Sequence, residues 1–252
     1  MLRAHAREDL RKETEMEQIY AIPVNEAFDA AAADPTRGCP FCLLFEKLQE
    51  DELDIILGAS MMEPDIRIRT NEQGFCADHY ARMLGRKRKL GMGLILESHL
   101  AEVKRGIGRH ASDLVMKPGA SQLSYLSRLE GDCYVCGRID RNLSAMIATA
   151  VYLYTTDPAF RDKLTKQPYF CLPHYRRMTD YASKKLSRRD YAPFYKAASA
   201  VEEAYLETLT GDVSWFCKKF DYNYENEPWY NAKDAVERAI RFLRGGTPPD
   251  KA

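Results

Sequence analysis

Apolar residues recur at intervals of three and four along most of this chain, the spacing of helices that bury one face. Leu96, Leu100, Val103 and Ile107 form one such stripe, on a helix predicted to start near Leu90. Leu143, Ile147, Ala150 and Tyr154 form a second. Phe194, Ala198, Val201, Tyr205 and Leu209 form a long third, predicted to end at Gly211. Asp157 followed by Pro158 reads as an N-cap with proline at the first helical position, opening a short helix through Leu164. The last helix is expected to be capped by Asn231, to bury Val236, Ile240 and Leu243, and to stop at Gly245-Gly246 before Pro248-Pro249. Two short stretches read as extended, Ile19 to Val24 and Asp65 to Arg69, and no longer β-rich run occurs. The pattern is that of a mainly α protein.

Laid over this helical periodicity is an internal repeat. Phe75-Cys76-Ala77-Asp78-His79-Tyr80-Ala81-Arg82-Met83 matches Phe170-Cys171-Leu172-Pro173-His174-Tyr175-Arg176-Arg177-Met178 at six of nine positions. A C-x-x-C precedes each copy: Cys39-Pro40-Phe41-Cys42 and Cys133-Tyr134-Val135-Cys136. The second and third cysteines are separated by 33 residues in the first copy and 34 in the second. The two copies predict two tandem helical repeats related by a pseudo-twofold axis, meeting near Lys117-Pro118-Gly119-Ala120-Ser121. The expected divisions are a charged N-terminal extension over 1–18, a first repeat over 19–116, and a second repeat with C-terminal helices over 117–252.

The residue types of the repeat are those of a metal site. Zinc is held tetrahedrally by thiolate sulfur and imidazole nitrogen, and closed Cys3His sites are structural. A C-x-x-C supplies two donors from one tight turn, and a distant C-x-x-H supplies the rest. Taking the ligands copy by copy gives one expected site from Cys39, Cys42, Cys76 and His79, and another from Cys133, Cys136, Cys171 and His174. Both kinds of pair fall where helices begin, and helix N-termini favour negative charge and lower thiol pKa values. Two zinc ions per chain are therefore expected. The same donors suit an iron–sulfur or thiol redox protein as the alternative. A plain set of buried cysteines in a duplicated core explains the paired spacing less well. A thioredoxin-like dithiol would need a βαβ setting.

Charge and composition narrow the remaining classes. Lys+Arg and Asp+Glu both number 37, so no global charge recruits nucleic acid or an anionic membrane. Leu143 to Tyr154, broken by Ser144 and Thr149, is too short to span a bilayer. The polar N-terminus lacks the apolar core of a signal peptide. A reducing cytoplasm is thus the expected compartment, where the seven cysteines need a reason other than disulfides. Two basic clusters follow the C-x-x-H motifs, Arg86-Lys87-Arg88-Lys89 and Lys184-Lys185 with Arg188-Arg189. They are the candidate phosphate grips of a zinc-supported nucleic-acid binder, a reading opposed by zero net charge and the lack of finger-like spacing.

The other histidines carry less. His99 lies at the edge of a stripe and reads as a packed or solvated residue more readily than as a ligand or ligand support, while His5 and His110 fit no pattern. The aromatic run Trp215 to Tyr224, continued by Pro228-Trp229-Tyr230, reads as packing that ties down the last helix, with a ligand pocket or partner surface as the alternative. Cys217, the cysteine outside the repeat, reads as a small buried hydrophobe. No metalloprotease, deaminase, P-loop, nucleophile-elbow or dinucleotide signature occurs in the sequence.

With these residues in hand, the chain resembles a bacterial family of unknown function. The likeness rests on Ile19-Tyr20-Ala21-Ile22-Pro23-Val24-Asn25-Glu26-Ala27-Phe28, the first Cys-Pro-x-Cys, and Met62-Glu63-Pro64-Asp65-Ile66-Arg67 with Thr70-Asn71-Glu72. It continues through Gly74-Phe75-Cys76, Leu90-Gly91, the second metal motif, Lys219-Phe220-Asp221-Tyr222 and Pro228-Trp229. It extends from about Met16 to Gly246, and members tend to begin near Met16. Tyr134 departs from the Pro40 of the first copy. The resemblance implies a shared helical fold and shared metal sites, and no activity. The resulting expectation is a zinc-binding helical binding or interaction module, with a protein partner or a second copy as candidate associates.

Overall fold

The computed structural model describes residues 19–58, 62–108 and 119–246. The N-terminal extension over 1–18, His5 and His110 lie outside them. Eleven α-helices and no strand occur among the described residues. In chain order they are α1 (Ala21–Ala33), α2 (Pro40–Leu57), α3 (Pro64–Gln73), α4 (Ala77–Gly85), α5 (Lys89–Gly108) and α6 (Ala120–Gly131). There follow α7 (Tyr134–Thr156), α8 (Pro158–Thr165), α9 (Leu172–Lys185), α10 (Arg188–Lys218) and α11 (Ala235–Arg244).

The mainly α prediction holds, and both expected extended stretches are helical instead. Pro23 lies in the first turn of α1 and Pro64 opens α3. At the start of a helix a missing N–H costs nothing, because that group has no intrahelical partner anyway. Those prolines mark helix beginnings rather than interruptions.

Packing divides the chain into two compact units. One comprises the chain up to Glu46 together with Leu143 onward, and the other is Lys47–Asn142. The divisions fall within α2 and α7, whereas the boundary expected at Lys117–Ser121 lies inside the second unit.

In the first unit the core forms around Phe28, fully buried on α1. Its ring centroid lies 5.6 Å from that of Phe41, 4.8 Å from Phe160 and 6.0 Å from Phe170. The stripe Leu143, Ile147, Ala150 and Tyr154 is buried on α7 as expected. Asp157 caps α8 by accepting from the Ala159 N–H at 2.9 Å, with Pro158 at the first position. Phe194, Ala198, Val201 and Leu209 are buried on α10. That helix continues past Gly211 to Lys218, because one interior glycine costs only about 1 kcal/mol in a helix anchored by so long a face.

The buried face and the start of α11, and the exposure of Cys217, differ from expectation in this unit. On α11 the buried residues are Ala235 and Phe242, while Val236, Ile240 and Leu243 are exposed. Phe242 is claimed by Tyr205 of α10, at 5.5 Å between ring centroids, and this contact sets the helix rotation. Asn231 is not the N-cap; α11 begins after Asp234, and Asn231 donates to Asp212 at 2.9 Å. The aromatic run is not packed as expected: Phe220, Tyr222 and Tyr230 are exposed, and polar contacts tie the chain down beyond α10. The Lys219 ammonium donates to the carbonyls of Tyr224, Glu225 and Glu227, each at 2.7 Å, and Trp215 Nε1 donates to the Pro228 carbonyl at 3.0 Å. Cys217, expected to be buried, is exposed.

In the second unit Leu53, Ile56, Leu57, Phe75, Met83, Ile95, Tyr134, Val135 and Ile139 form the core. Helix α5 turns a different face inward from the one predicted: Gly91, Ile95, His99 and Gly106 are buried, while Leu100 and Ile107 are exposed. Close approach selects this face. A Cβ on Gly106 would sit 2.4 Å from the ring of Tyr125 on α6, so a larger residue would force that ring to move. Glu52 and Arg138 pair at 3.2 Å beside this core.

Phe28→Ala should destabilise the metal-loaded protein by about 3–5 kcal/mol, as aromatic core truncations do. Ile240→Ser, on the exposed face of α11, should stay within about 0.5 kcal/mol. Chemical denaturation of the two variants beside the unaltered chain checks both values.

Candidate metal centres

All eight predicted ligands are gathered into two clusters of three cysteines and one histidine, but the copies exchange partners. Cys39, Cys42, Cys171 and His174 form one cluster, and Cys76, His79, Cys133 and Cys136 form the other. The expected copy-by-copy grouping is therefore corrected. Each C-x-x-C meets the C-x-x-H of the other copy. The cause is the packing division, which places the outer two motifs in the first unit and the inner two in the second.

Local structure makes each motif a bidentate half-site. Cys76 and Cys171 are the N-cap residues of α4 and α9, with His79 and His174 three positions later in the first turn. Cys39 and Cys133 stand immediately before α2 and α7, with Cys42 and Cys136 likewise three positions later. Residues so placed lie on the same side of the first turn, where a serine cap and its third residue would meet. Pro40 and Pro173 occupy early positions that need no amide hydrogen. Each cluster thus lies where two helices begin. Their combined dipoles offset part of the net negative charge that three thiolates carry around a divalent ion.

In the first-unit cluster, Cys39 Sγ lies 3.4 Å from Cys42 Sγ and 3.7 Å from Cys171 Sγ, and Cys42 lies 3.6 Å from Cys171. His174 Nδ1 is 3.1 Å from Cys171 and 3.5 Å from Cys39 and from Cys42. All four ligand residues are buried. In the second-unit cluster His79 Nδ1 is 3.1 Å from Cys76, 3.3 Å from Cys133 and 3.4 Å from Cys136, while Cys76 and Cys136 are 3.8 Å apart. A tetrahedron with zinc–sulfur bonds of about 2.3 Å and zinc–nitrogen bonds of about 2.0 Å has edges of roughly 3.8 and 3.5 Å. The measured separations match those edges to within a few tenths of an ångström.

The electrostatics of both clusters suit a cation. Burial and the neighbouring Cys171 and Cys42 thiols hold the Cys39 thiol well above its ordinary pKa. Burial and Cys133 push that of Cys136 up to about 12. Three sulfurs this close cannot all ionise unless positive charge sits among them. Burial also lowers the pKa of His79, favouring the neutral ring that ligates metal.

Two supporting side chains escaped the sequence reading. The buried Gln49 amide of α2 lies 3.0 Å from His79 Nε2. The amide atom at that distance is Gln49 Nε2; an imidazole that ligates through Nδ1 keeps its proton on Nε2, so the Gln49 amide turns over to present its oxygen as acceptor when metal is bound. In the first unit, buried Glu202 of α10 accepts from the Phe170 N–H at 2.9 Å and so holds the residue that precedes Cys171. Its other oxygen has no partner, and burial pushes its pKa up to about 8. Both residues interrupt otherwise apolar stripes, Gln49 with Leu53 and Ile56, and Glu202 with Ala198 and Leu209. A polar residue at a core position was the available signal.

Other sequence candidates lie apart from the clusters. His99 is buried, with Nδ1 3.0 Å from the Asn71 carbonyl, and is packed rather than ligating. Of the basic clusters, Arg86 is held by Glu50 and Asp54, Arg88 donates to the Asp54 carbonyl at 3.2 Å, and Lys184 pairs with Asp180 at 2.7 Å.

The fold and the two clusters define a class: an all-helical protein, among its described residues, with a duplicated set of Cys3His clusters fit to hold metal ions. More particularly, the chain belongs to the family of unknown function DUF6062, whose model matches residues 16–250. Comparison with curated proteins and with solved structures gave no match.

The crossed grouping has a direct readout in double variants. Cys39→Ser with Cys171→Ser should cost one metal per chain, because both residues serve one centre. Cys39→Ser with Cys76→Ser should cost two, whereas copy-by-copy grouping reverses these outcomes in metal analysis. For Glu202, the folded carboxyl keeps its proton up to about pH 8 while the unfolded one releases it near its ordinary value of 4.5. Its contribution to stability is therefore full below about pH 4.5 and falls as pH rises to about 8. Glu202→Gln should be more stable than the unaltered protein at pH 8, by on the order of 2–3 kcal/mol, with the difference shrinking toward pH 5 in paired denaturant melts.

Proposed function

We propose that this chain is a zinc protein in which both ions are structural, and that its role is that of a binding or interaction module displayed on a metal-clamped helical scaffold. The observation that supports this most directly is the tetrahedral spacing of four protein donors at each centre. Four protein ligands leave no open position for substrate or activated water, which is the mark of a structural rather than a catalytic zinc. Buried Gln49 behind His79 adds the support expected of a ligating imidazole.

Donor spacing also weighs against the iron–sulfur alternative. Thiolates on different irons of a cluster stand roughly 6 Å apart, since each binds its own metal around a shared sulfide core. Separations of 3.4 to 3.8 Å between sulfurs suit one ion per site. The nucleic-acid alternative loses support because Arg86 and Lys184 already have carboxylate partners. No helix among the described residues is long and apolar enough to cross a membrane. A reducing, cytoplasmic setting is the one in which six ligand thiols stay available to metal.

Elemental analysis and an absorbance spectrum on anaerobically purified protein test the reading. Two zinc per chain and a colourless solution are expected, while iron with visible absorbance would overturn it. Removing the zinc with a strong chelator should abolish the cooperative melt followed by circular dichroism. Structural zinc binding of about 10–16 kcal/mol is comparable to or larger than the whole stability of a typical domain. Gln49→Leu should weaken zinc binding at the second-unit centre by about 10- to 100-fold in chelator competition and leave the first-unit centre unchanged.

A further inference from the structure

The two centres share ligand types and geometry but not access to solvent. In the first-unit centre Cys39, Cys42, Cys171 and His174 are all buried. In the second-unit centre His79 and Cys133 are buried, Cys76 is half-buried and Cys136 is exposed. A closed metal site needs no exposed ligand, and the first shows that this fold can bury all four. The difference also lies on one edge of the tetrahedron, because the two accessible sulfurs are neighbours at 3.8 Å.

We infer that Cys136 is a modification site for small hydroperoxides, and that its oxidation releases the metal of the second-unit centre while the first-unit centre keeps its own. The inference rests on the metal reading above, since bound metal is what keeps Cys136 as thiolate. The Cys136 thiolate attacks the terminal peroxide oxygen and breaks the O–O bond, giving the sulfenic acid and an alkoxide, or hydroxide where the oxidant is hydrogen peroxide. The Cys76 thiolate then attacks the sulfenic sulfur and expels hydroxide, forming a disulfide. Two thiolates lose two electrons and the peroxide gains them, so no further reductant or oxidant enters. A disulfide donates poorly to zinc, and an ion that loses two of its four ligands leaves. In the first-unit centre the same chemistry is blocked because peroxide does not reach a buried sulfur.

The test treats the full-length protein, loaded with two zinc per chain, with hydrogen peroxide while a colorimetric chelator reports free zinc. One zinc should appear at least about ten times faster than the other, as access governs thiolate oxidation. Non-reducing tryptic mapping should then show Cys136 in a disulfide, with Cys76 on 70–82 joined to the 129–138 peptide. Equal release of both ions, or early oxidation of Cys39, Cys42 or Cys171, would overturn the inference. So would release of the second-unit ion with Cys136 still reduced. Cys136→Ser should slow the fast phase at least about ten-fold if the variant keeps its metal. If it does not, alkylation of the unaltered zinc-loaded protein replaces it: exposed Cys217, which belongs to neither centre, is set aside, and Cys136 must be the first of the six clustered cysteines labelled. Failure to load two ions before peroxide would count against the metal reading itself. Two loaded ions that leave together would count against this inference alone.

Discussion

Both clusters turn on one constraint: thiols packed this closely repel one another once ionised, and a cation among them would relieve that repulsion. Three sulfurs and an imidazole nitrogen stand at 3.1 to 3.7 Å from one another in the first-unit centre, and nearly the same separations recur in the second. Ionising those sulfurs side by side away from water is prohibitive without positive charge between them. Helix N-termini supply part of it, since two helices begin at each cluster. A metal ion held by the four donors would supply the rest, at the point where those helices start. The aromatic core of the first unit continues to this point, with Phe41 lying 5.9 Å from the His174 ring.

The sequence discloses chemistry more readily than topology. Helical class, the eight clustering cysteines and histidines and the buried face of α7 were all legible, because each is written in local spacing. The grouping of the ligands was not, because it depends on which helices pack together, and near-equal spacing within the copies points to the grouping that packing does not adopt. Helix faces failed for a related reason. On α5 a contest between two apolar stripes was decided by Gly106, which lets Tyr125 approach where a larger residue would collide. On α11 a single ring, Phe242, outweighed three smaller aliphatics because Tyr205 was there to receive it. Hydropathy counts residues, while packing rewards fit.

Gln49 and Glu202 show where a polar residue in an apolar stripe has a use. Each bears on a metal-binding segment from a helix that contributes no ligand to that centre. Gln49 fixes the ring orientation of His79, and Glu202 holds the backbone beside Cys171. Leaving one Glu202 oxygen unpartnered is costly for a carboxylate and far less so for a carboxylic acid. The elevated pKa of this group is how the interior lowers that cost.

The exchange of ligands between copies produces a nested order along the chain, with the second-unit centre enclosed between the two halves of the first-unit centre. Synthesis proceeds from the N-terminus, so that order is also a schedule. The pair Cys39 and Cys42 is the earliest of the ligands to be made and the last to be completed, waiting until His174 has emerged. The enclosed centre has all its donors once Cys136 is made, 38 residues before His174. By closing first it shortens the free chain between the outer halves, and loop-closure entropy falls with that length. Newly made protein thus has an interval in which its fully buried centre is still an open dithiol.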